Sequence, residues 1–198
     1  MNIAIIPARS GSRRILAKNV RLFHGKPIIA YSIETARESG LFAEIIVSTD
    51  SQDYAALAKA YGAKVHMRPA RFCEDNVGTQ EVMKVALNWW NVCHPNKPPE
   101  YAACIYPCAP LMTADDLRRG MGLLDAAKYS HSAGPTGQDA GAWYCGRAKD
   151  FLLGTPLEGN SAILCLPAER VIDVNVEADW QLAERMYANL YHPMGAPA

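Results

Sequence analysis

The chain has 198 residues, 49% hydrophobic and 20% charged, enough to bury a full core in one domain spanning 1–198. Twenty basic and twenty acidic residues cancel to a formal net charge of zero, which excludes a chain drawn as a whole to nucleic acid or to an anionic membrane. No apolar span approaches membrane-crossing length, no signal-peptide pattern opens the chain, and the six cysteines (73, 93, 104, 108, 145 and 165) form no CxxC pair, so reduced core thiols in a cytoplasmic setting are expected.

In chain order, IAIIP (3–7) reads as a buried strand. PIIAYSIETARESG (27–40) predicts a helix that opens on proline and stops on glycine. EIIVSTD (44–50) is a strand, and SQDYAALAKAYG (51–62) a helix with a serine cap and a glycine stop. AKVHM (63–67) is a third strand. TQEVMKVALNWWNV (79–92) predicts a helix with Trp89 and Trp90 in its packing face, and HPNKPPE (94–100) a loop. AACIYP (102–107) is a strand, TADDLRRGMGLLDAAK (113–128) a helix opening on threonine, AWYCG (142–146) and AILCLP (162–167) strands, and VEADWQLAERMYANLY (176–191) the last helix. The tail HPMGAPA (192–198) is expected to fray. Strands alternating with helices predict a three-layer α/β/α sandwich with a mainly parallel, Rossmann-like sheet.

Ligands of such sheets bind beyond the carboxyl ends of the strands, and ARSGSRR (8–14) stands there after the first strand. Gly11 permits a tight turn, Ser10 and Ser12 add hydroxyl donors, and Arg9, Arg13, Arg14 and Lys18 supply cations. The loop suits a polyanion such as a triphosphate; the alternative is a solvated basic loop. The GxxxxGK[ST] and GxGxxG spacings are both absent, which argues against P-loop NTPases and Rossmann dehydrogenases. Asp173 and Asn175 alternate along IDVNVEADW, so both side chains can face one hard cation, or Asp173 can instead cap the last helix. His24, His66, His94 and His131 have no spacing for a metal site or a dyad.

IAIIPARSGSRRILAKN, followed by FHGKPIIAYSIETARESGLFAEIIVSTD, YGAKVHMRPARFCEDNVGT, CIYPCAPL, QDAGAWY and IDVNVEADWQLAE, resembles the acylneuraminate cytidylyltransferase (CMP-sialic acid synthetase) family over nearly the whole chain. Within the family, CIYPCAPL and the DAGxxY segment are most similar to pseudaminic acid cytidylyltransferases. The resemblance implies a fold of the nucleotide-diphospho-sugar transferase type. It also implies a magnesium-dependent enzyme that transfers CMP from CTP to the anomeric hydroxyl of an acidic nine-carbon sugar, releasing pyrophosphate. Arg9 and Lys18 would be catalytic. Ala8, Arg9, Ser12, Arg13, Lys18, Asn19, Arg68 and Thr79 would hold the nucleotide, with Lys18 at the α-phosphate and Arg68 and Thr79 at the cytidine. Tyr106, Gln138 and Asp139 would face the sugar, and Asp173 and Asn175 the Mg2+. Asp75 would brace the loop it sits in. Relatives pair two acids where this chain has Asp173 and Asn175, and they carry a further segment near Ala133 and Gly134 that reaches a second subunit; here the arm near 130–140 is short. A homodimer is expected, with no nucleic-acid or membrane partner. The alternatives are a sialic, legionaminic or ketodeoxyoctonic acid acceptor, or a nucleotide-binding paralogue without turnover.

Overall fold

A computed structural model describes residues 1–191; the expected fraying of 192–198 lies outside them. The strands are β1 (Asn2–Pro7), β2 (Leu22–Phe23), β3 (Lys26–Pro27), β4 (Glu44–Thr49), β5 (Lys64–Met67), β6 (Tyr101–Ile105), β7 (Tyr129–Ala133), β8 (Asp139–Arg147) and β9 (Ser161–Cys165). The helices are α1 (Ile28–Glu38), α2 (Gln52–Ala60), α3 (Thr79–Cys93), α4 (Ala114–Gly122), α5 (Ala148–Leu153) and α6 (Glu177–Tyr191). Seven strands form one sheet in the order β5-β4-β1-β6-β8-β7-β9, and β2 and β3 form a small antiparallel ribbon. β5, β4, β1 and β6 run parallel; β8 is antiparallel to both β6 and β7, and β9 is parallel to β7.

Alternation along the central strands supplies both faces of the sheet. Ala4, Ile6, Val47, Ala103 and Ile105 meet α1, α2 and α4 through Ile33, Ala58 and Leu117. Ile3, Ile5, Ile46, Ala102 and Cys104 meet α3 and α5 through Met83, Leu87, Trp90 and Phe151. This is the expected three-layer sandwich. Gly120 of α4 is required by packing, because the Trp143 ring of β8 occupies the space its Cβ would take.

Several elements depart from the reading of the sequence, the β2–β3 ribbon among them, where no strand was expected. The predicted helix over 113–128 ends at Gly122 and continues only as a 3-10 turn through Leu123–Asp125. The short helix α5 was not expected. Nor was β7, YSHSA, where Ser130 and Ser132 are fully buried; Ser130 Oγ donates to the Gly120 carbonyl at 2.7 Å, which satisfies a polar group that hydropathy alone would place outside. β7 turns into β8 through residues 134–138, closed by the Gly134 N–H to the Gln138 carbonyl (2.8 Å), with Gly137 at φ +84°. That turn stands where the arm was expected to be short. Of the cysteines, Cys104, Cys108 and Cys145 are core thiols as expected, whereas Cys93 and Cys165 are exposed.

The topology creates one crevice. From β1 the chain passes outward through α1 to β4 and through α2 to β5; α3 then returns it to β6 on the other side of β1. The loops leaving the carboxyl ends of β1 and β6 therefore diverge, opening a cleft between them. A third cluster anchors its walls: Ile15 from the loop after β1, Cys108 from the loop after β6 and Val174 from the segment before α6 are buried together against Phe23, Tyr31 and Trp180.

Candidate active site

The loop after β1 is fixed from both sides. The Ala8 N–H donates to the Ser48 carbonyl (2.9 Å), and Ser10 donates through its N–H and its hydroxyl to the two oxygens of Asp50 (2.7 and 2.9 Å). The Asn19 amide donates to the Arg9 carbonyl at 2.9 Å, and the Cys108 thiol donates to the Asn19 Oδ1; burial pushes that thiol up to about 12. Between these anchors Ala17 adopts the left-handed conformation (φ 50°), a strain of about 1–2 kcal/mol that delivers Lys18 toward the cleft.

The cleft has a volume of about 630 Å³. Arg9, Arg13, Arg14 and Lys18 line one wall, and Asp139, Asp173 and Asn175 the other. Each cation already has a partner. Arg9 donates to the Cys73 carbonyl (3.1 Å) and pairs with Asp75 at 2.5 Å; Arg13 reaches the other oxygen of Asp75 at 3.6 Å with its side chain 85% exposed. The Arg9 guanidinium holds the Asp75 carboxyl below the usual carboxylate range. Lys18 Nζ donates to the Val174 carbonyl (2.6 Å), and Arg14 to Asn175 Oδ1 (3.0 Å).

The opposite wall is the irregular segment 171–176. It is held upstream by Arg170, whose guanidinium takes both oxygens of the buried Asp116 (2.5 and 3.1 Å), and downstream by Asp179, which accepts the N–H groups of Asn175 and Val176 at 2.8 Å each. Between these clamps the Asn175 amide donates to Asp173 Oδ2 (2.6 Å). The other Asp173 oxygen lies beside Gly141, where a Cβ would stand 2.9 Å from it. Asp139 accepts from the Gly141 N–H (2.8 Å) and from the Tyr144 hydroxyl. Tyr106 shares a hydrogen bond with Thr79 Oγ1 (2.6 Å), and burial raises its phenol pKa well above the ordinary value.

A smaller cleft of about 170 Å³ adjoins the first and shares Pro7, Arg9, Asp75 and Tyr106 with it. Arg68 lines it. Only 5% exposed, that guanidinium meets the Ser48 carbonyl at 3.3 Å, while its Nε has no partner among the described residues; burial lowers its pKa. A buried cation with an unfilled donor is costly unless a polar ligand atom completes it.

Eleven of the residues singled out from the sequence thus line one cleft: Arg9, Ser12, Arg13, Arg14, Lys18, Asn19, Asp75, Tyr106, Asp139, Asp173 and Asn175. Arg68 and Thr79 line its smaller neighbour. Ala8 is buried beneath the loop rather than in the cleft. Gln138 lies at the β7–β8 turn, where its amide packs at Gly134 and accepts from Thr136, and it lines neither cleft. The sequence did not point to Cys108 or Gly141. The glycine in DAGxxY was visible, but nothing in the sequence brings it to Asp173.

Residues 3–128 match the family model described as Cytidylyltransferase. The pseudaminic acid cytidylyltransferase of Campylobacter jejuni (subspecies jejuni, serotype O:2) is 28% identical over 228 aligned positions, covering 94% of this chain and 96% of that protein. Those 228 positions exceed the 198 residues of the chain, so at least 30 of them hold no residue of it. Among solved structures, a CMP:2-keto-3-deoxy-manno-octonic acid synthetase complexed with CTP superposes with a TM-score of 0.74 at 16% identity, over 96% of this chain and 99% of that one. The manganese complex of Rv0371c from Mycobacterium tuberculosis H37Rv superposes with a TM-score of 0.63 at 16% identity, over 91% and 96%.

Proposed function

The chain belongs to the cytidylyltransferase family, and from that premise we propose that it transfers CMP from CTP to the anomeric hydroxyl of a nonulosonic acid, pseudaminic acid first, releasing pyrophosphate. The observation that carries this reading is the gathering of Arg9, Ser12, Arg13, Lys18 and Asn19 at the sheet's switch point, in one cleft with Tyr106, Asp139 and Asp173. The C. jejuni relative, matched over nearly its whole length, is the reason for placing pseudaminic acid first.

In this reading the base enters the smaller cleft, where the unfilled Nε of buried Arg68 awaits an acceptor and Thr79 stands at the start of α3. The triphosphate lies along the loop after β1, with Arg9, Arg13 and Ser12 on the outer phosphates, Lys18 at the α-phosphate and Asn19 holding the loop to shape. Tyr106 and Asp139 orient the sugar. As its hydroxyl forms the new bond to the α-phosphorus, the bond to pyrophosphate breaks and the hydroxyl proton is lost to solvent. Positioning and charge neutralisation supply most of the acceleration in such a transfer.

Among the described residues no group of three or more His, Cys, Asp or Glu side chains is gathered as metal ligands. A magnesium ion, which often takes only one or two protein carboxylates and completes its shell with phosphate oxygens and water, still fits at Asp173: the absent Cβ of Gly141 leaves its Oδ1 open. Asn175 would join through Oδ1 once Arg14 turns to phosphate. When bound, the ion would neutralise charge on the triphosphate. A homodimer and a cytoplasmic setting belong to the same proposal; no helix among the described residues is long and apolar enough to cross a membrane.

The aligned positions missing from this chain favour a second reading, nucleotide binding without turnover. One assay separates the two. Protein mixed with CTP, magnesium and a panel of pseudaminic, legionaminic, sialic and ketodeoxyoctonic acids releases pyrophosphate with at least one acceptor if the first reading holds. CTP binding with no pyrophosphate from any acceptor supports the second.

A further inference from the structure

The loop after β1 carries two kinds of cation. Lys18 and Arg14 face neutral oxygens, those of Val174 and Asn175. Arg9 and Arg13 instead converge on one anion of the chain itself: Asp75 gives one carboxylate oxygen to Arg9 and the other to Arg13. Two guanidiniums on the two oxygens of one anion is also how arginines grip a phosphoryl group. Asp75 lies in the exposed stretch 74–76 between the 3-10 turn Ala70–Phe72 and α3, and it lines both clefts. These arginines cannot give the same donors to Asp75 and to a diphosphate at once.

We propose that Asp75 is an internal competitor for the β,γ-diphosphate of the nucleotide, displaced when the triphosphate binds and returning to Arg9 and Arg13 after transfer to expel pyrophosphate. This rests on the phosphate-binding reading of the loop given above. The physical basis is tethering. In the intact triphosphate the diphosphate carries more charge than one carboxylate and is held close by its covalent link to the nucleotide, so it wins the arginines. Once that bond breaks the diphosphate loses its tether and Asp75 keeps its own. The α-phosphate, expected at Lys18, is outside the competition.

Calorimetric titration of the full chain with inorganic pyrophosphate, tripolyphosphate and CMP, without acceptor, tests this. Asp75→Asn is expected to bind pyrophosphate and tripolyphosphate about two- to fivefold more tightly, the range of an exposed ion pair, and CMP with unchanged affinity. Glu74→Gln removes the same charge one residue away, from a carboxylate with no ion pair among the described residues, and is expected to move pyrophosphate less. In an Arg9→Ala background the gain from Asp75→Asn disappears. Unchanged or weaker pyrophosphate binding by Asp75→Asn, or an equal gain for CMP or from Glu74→Gln, overturns the competitor role alone, provided that Arg9→Ala weakens tripolyphosphate binding. If Arg9→Ala leaves tripolyphosphate binding intact, the phosphate-loop reading falls and this inference with it.

Discussion

Position 141 needs glycine for two independent reasons. Its φ of +61° is one that a side chain adopts only with strain, and a Cβ there would stand 2.9 Å from Asp173 Oδ1 and 3.0 Å from Asp173 Cβ and Cγ. Gly141→Ala is therefore expected to push the Asp173 carboxylate aside. Turnover with a divalent cation falls about tenfold or more, equivalent to about 1.4 kcal/mol, while metal-free CTP affinity changes less than about twofold. Parallel rate and titration measurements check the split; equal loss in both would show a general disruption. At this scale residue type was legible where chemistry is unambiguous: the arginines, Lys18 and Asp173 could be singled out from the chain. What each one touches was not. Asn175, read as a metal ligand, uses both side-chain polar atoms in the structure: its amide donates to Asp173, two residues away, and its Oδ1 accepts from Arg14, which is 161 residues away in the chain.

The segment 171–176 has no regular secondary structure, so its shape comes from its clamps. The upstream clamp is the stronger: Asp116 is 1% exposed and Arg170 covers it with a two-pronged ion pair, while the same carboxylate closes the capping box of α4 with Thr113. Arg170→Met leaves that carboxylate buried without its cation and is expected to cost about 3–5 kcal/mol in urea unfolding. Arg170→Met combined with Asp116→Asn should recover part of the loss; a double variant no more stable than Arg170→Met would show that the pair does not act as a unit. Among elements, those with strong periodicity were legible: α1, α2, α3 and α6 fall within a residue or two of the reading. β7 was hidden because its serines are buried in the core, Ser130 satisfied there by the Gly120 carbonyl, and α4 proved shorter, giving way after Gly122 to a 3-10 turn, with Gly120 placed by its packing against Trp143 rather than by helix propensity.

For the molecule as a whole, the parallel half of the sheet carries a buried histidine that sets an acid limit. His66 of β5 is 3% exposed, its Nδ1 meets Ser48 Oγ at 3.0 Å and its ring lies against Trp89. Burial, with the neighbouring Arg68 adding to it, pushes His66 down from 6.5 to about 4. The folded chain therefore binds fewer protons here than the unfolded chain between these values. Stability from the neutral ring is complete above about pH 6.5 and is lost progressively as the pH falls toward 4, by on the order of 2–3 kcal/mol. The urea midpoint should fall between pH 7 and pH 4.5 for the native chain and much less for His66→Gln; an equal fall in both would place the acid sensitivity elsewhere.

The sequence by itself determined the layering and the cation-rich loop, because alternating apolar patterns, caps and charged residue types are local properties. Tertiary structure decided the rest. The strand order that opens the crevice, the unfilled donor of Arg68, the seat of Asp173 against Gly141 and the closure of Arg9 and Arg13 on Asp75 all join residues far apart in the chain. Such contacts depend on how the loops meet at the carboxyl ends of the strands, and no local periodicity encodes that meeting.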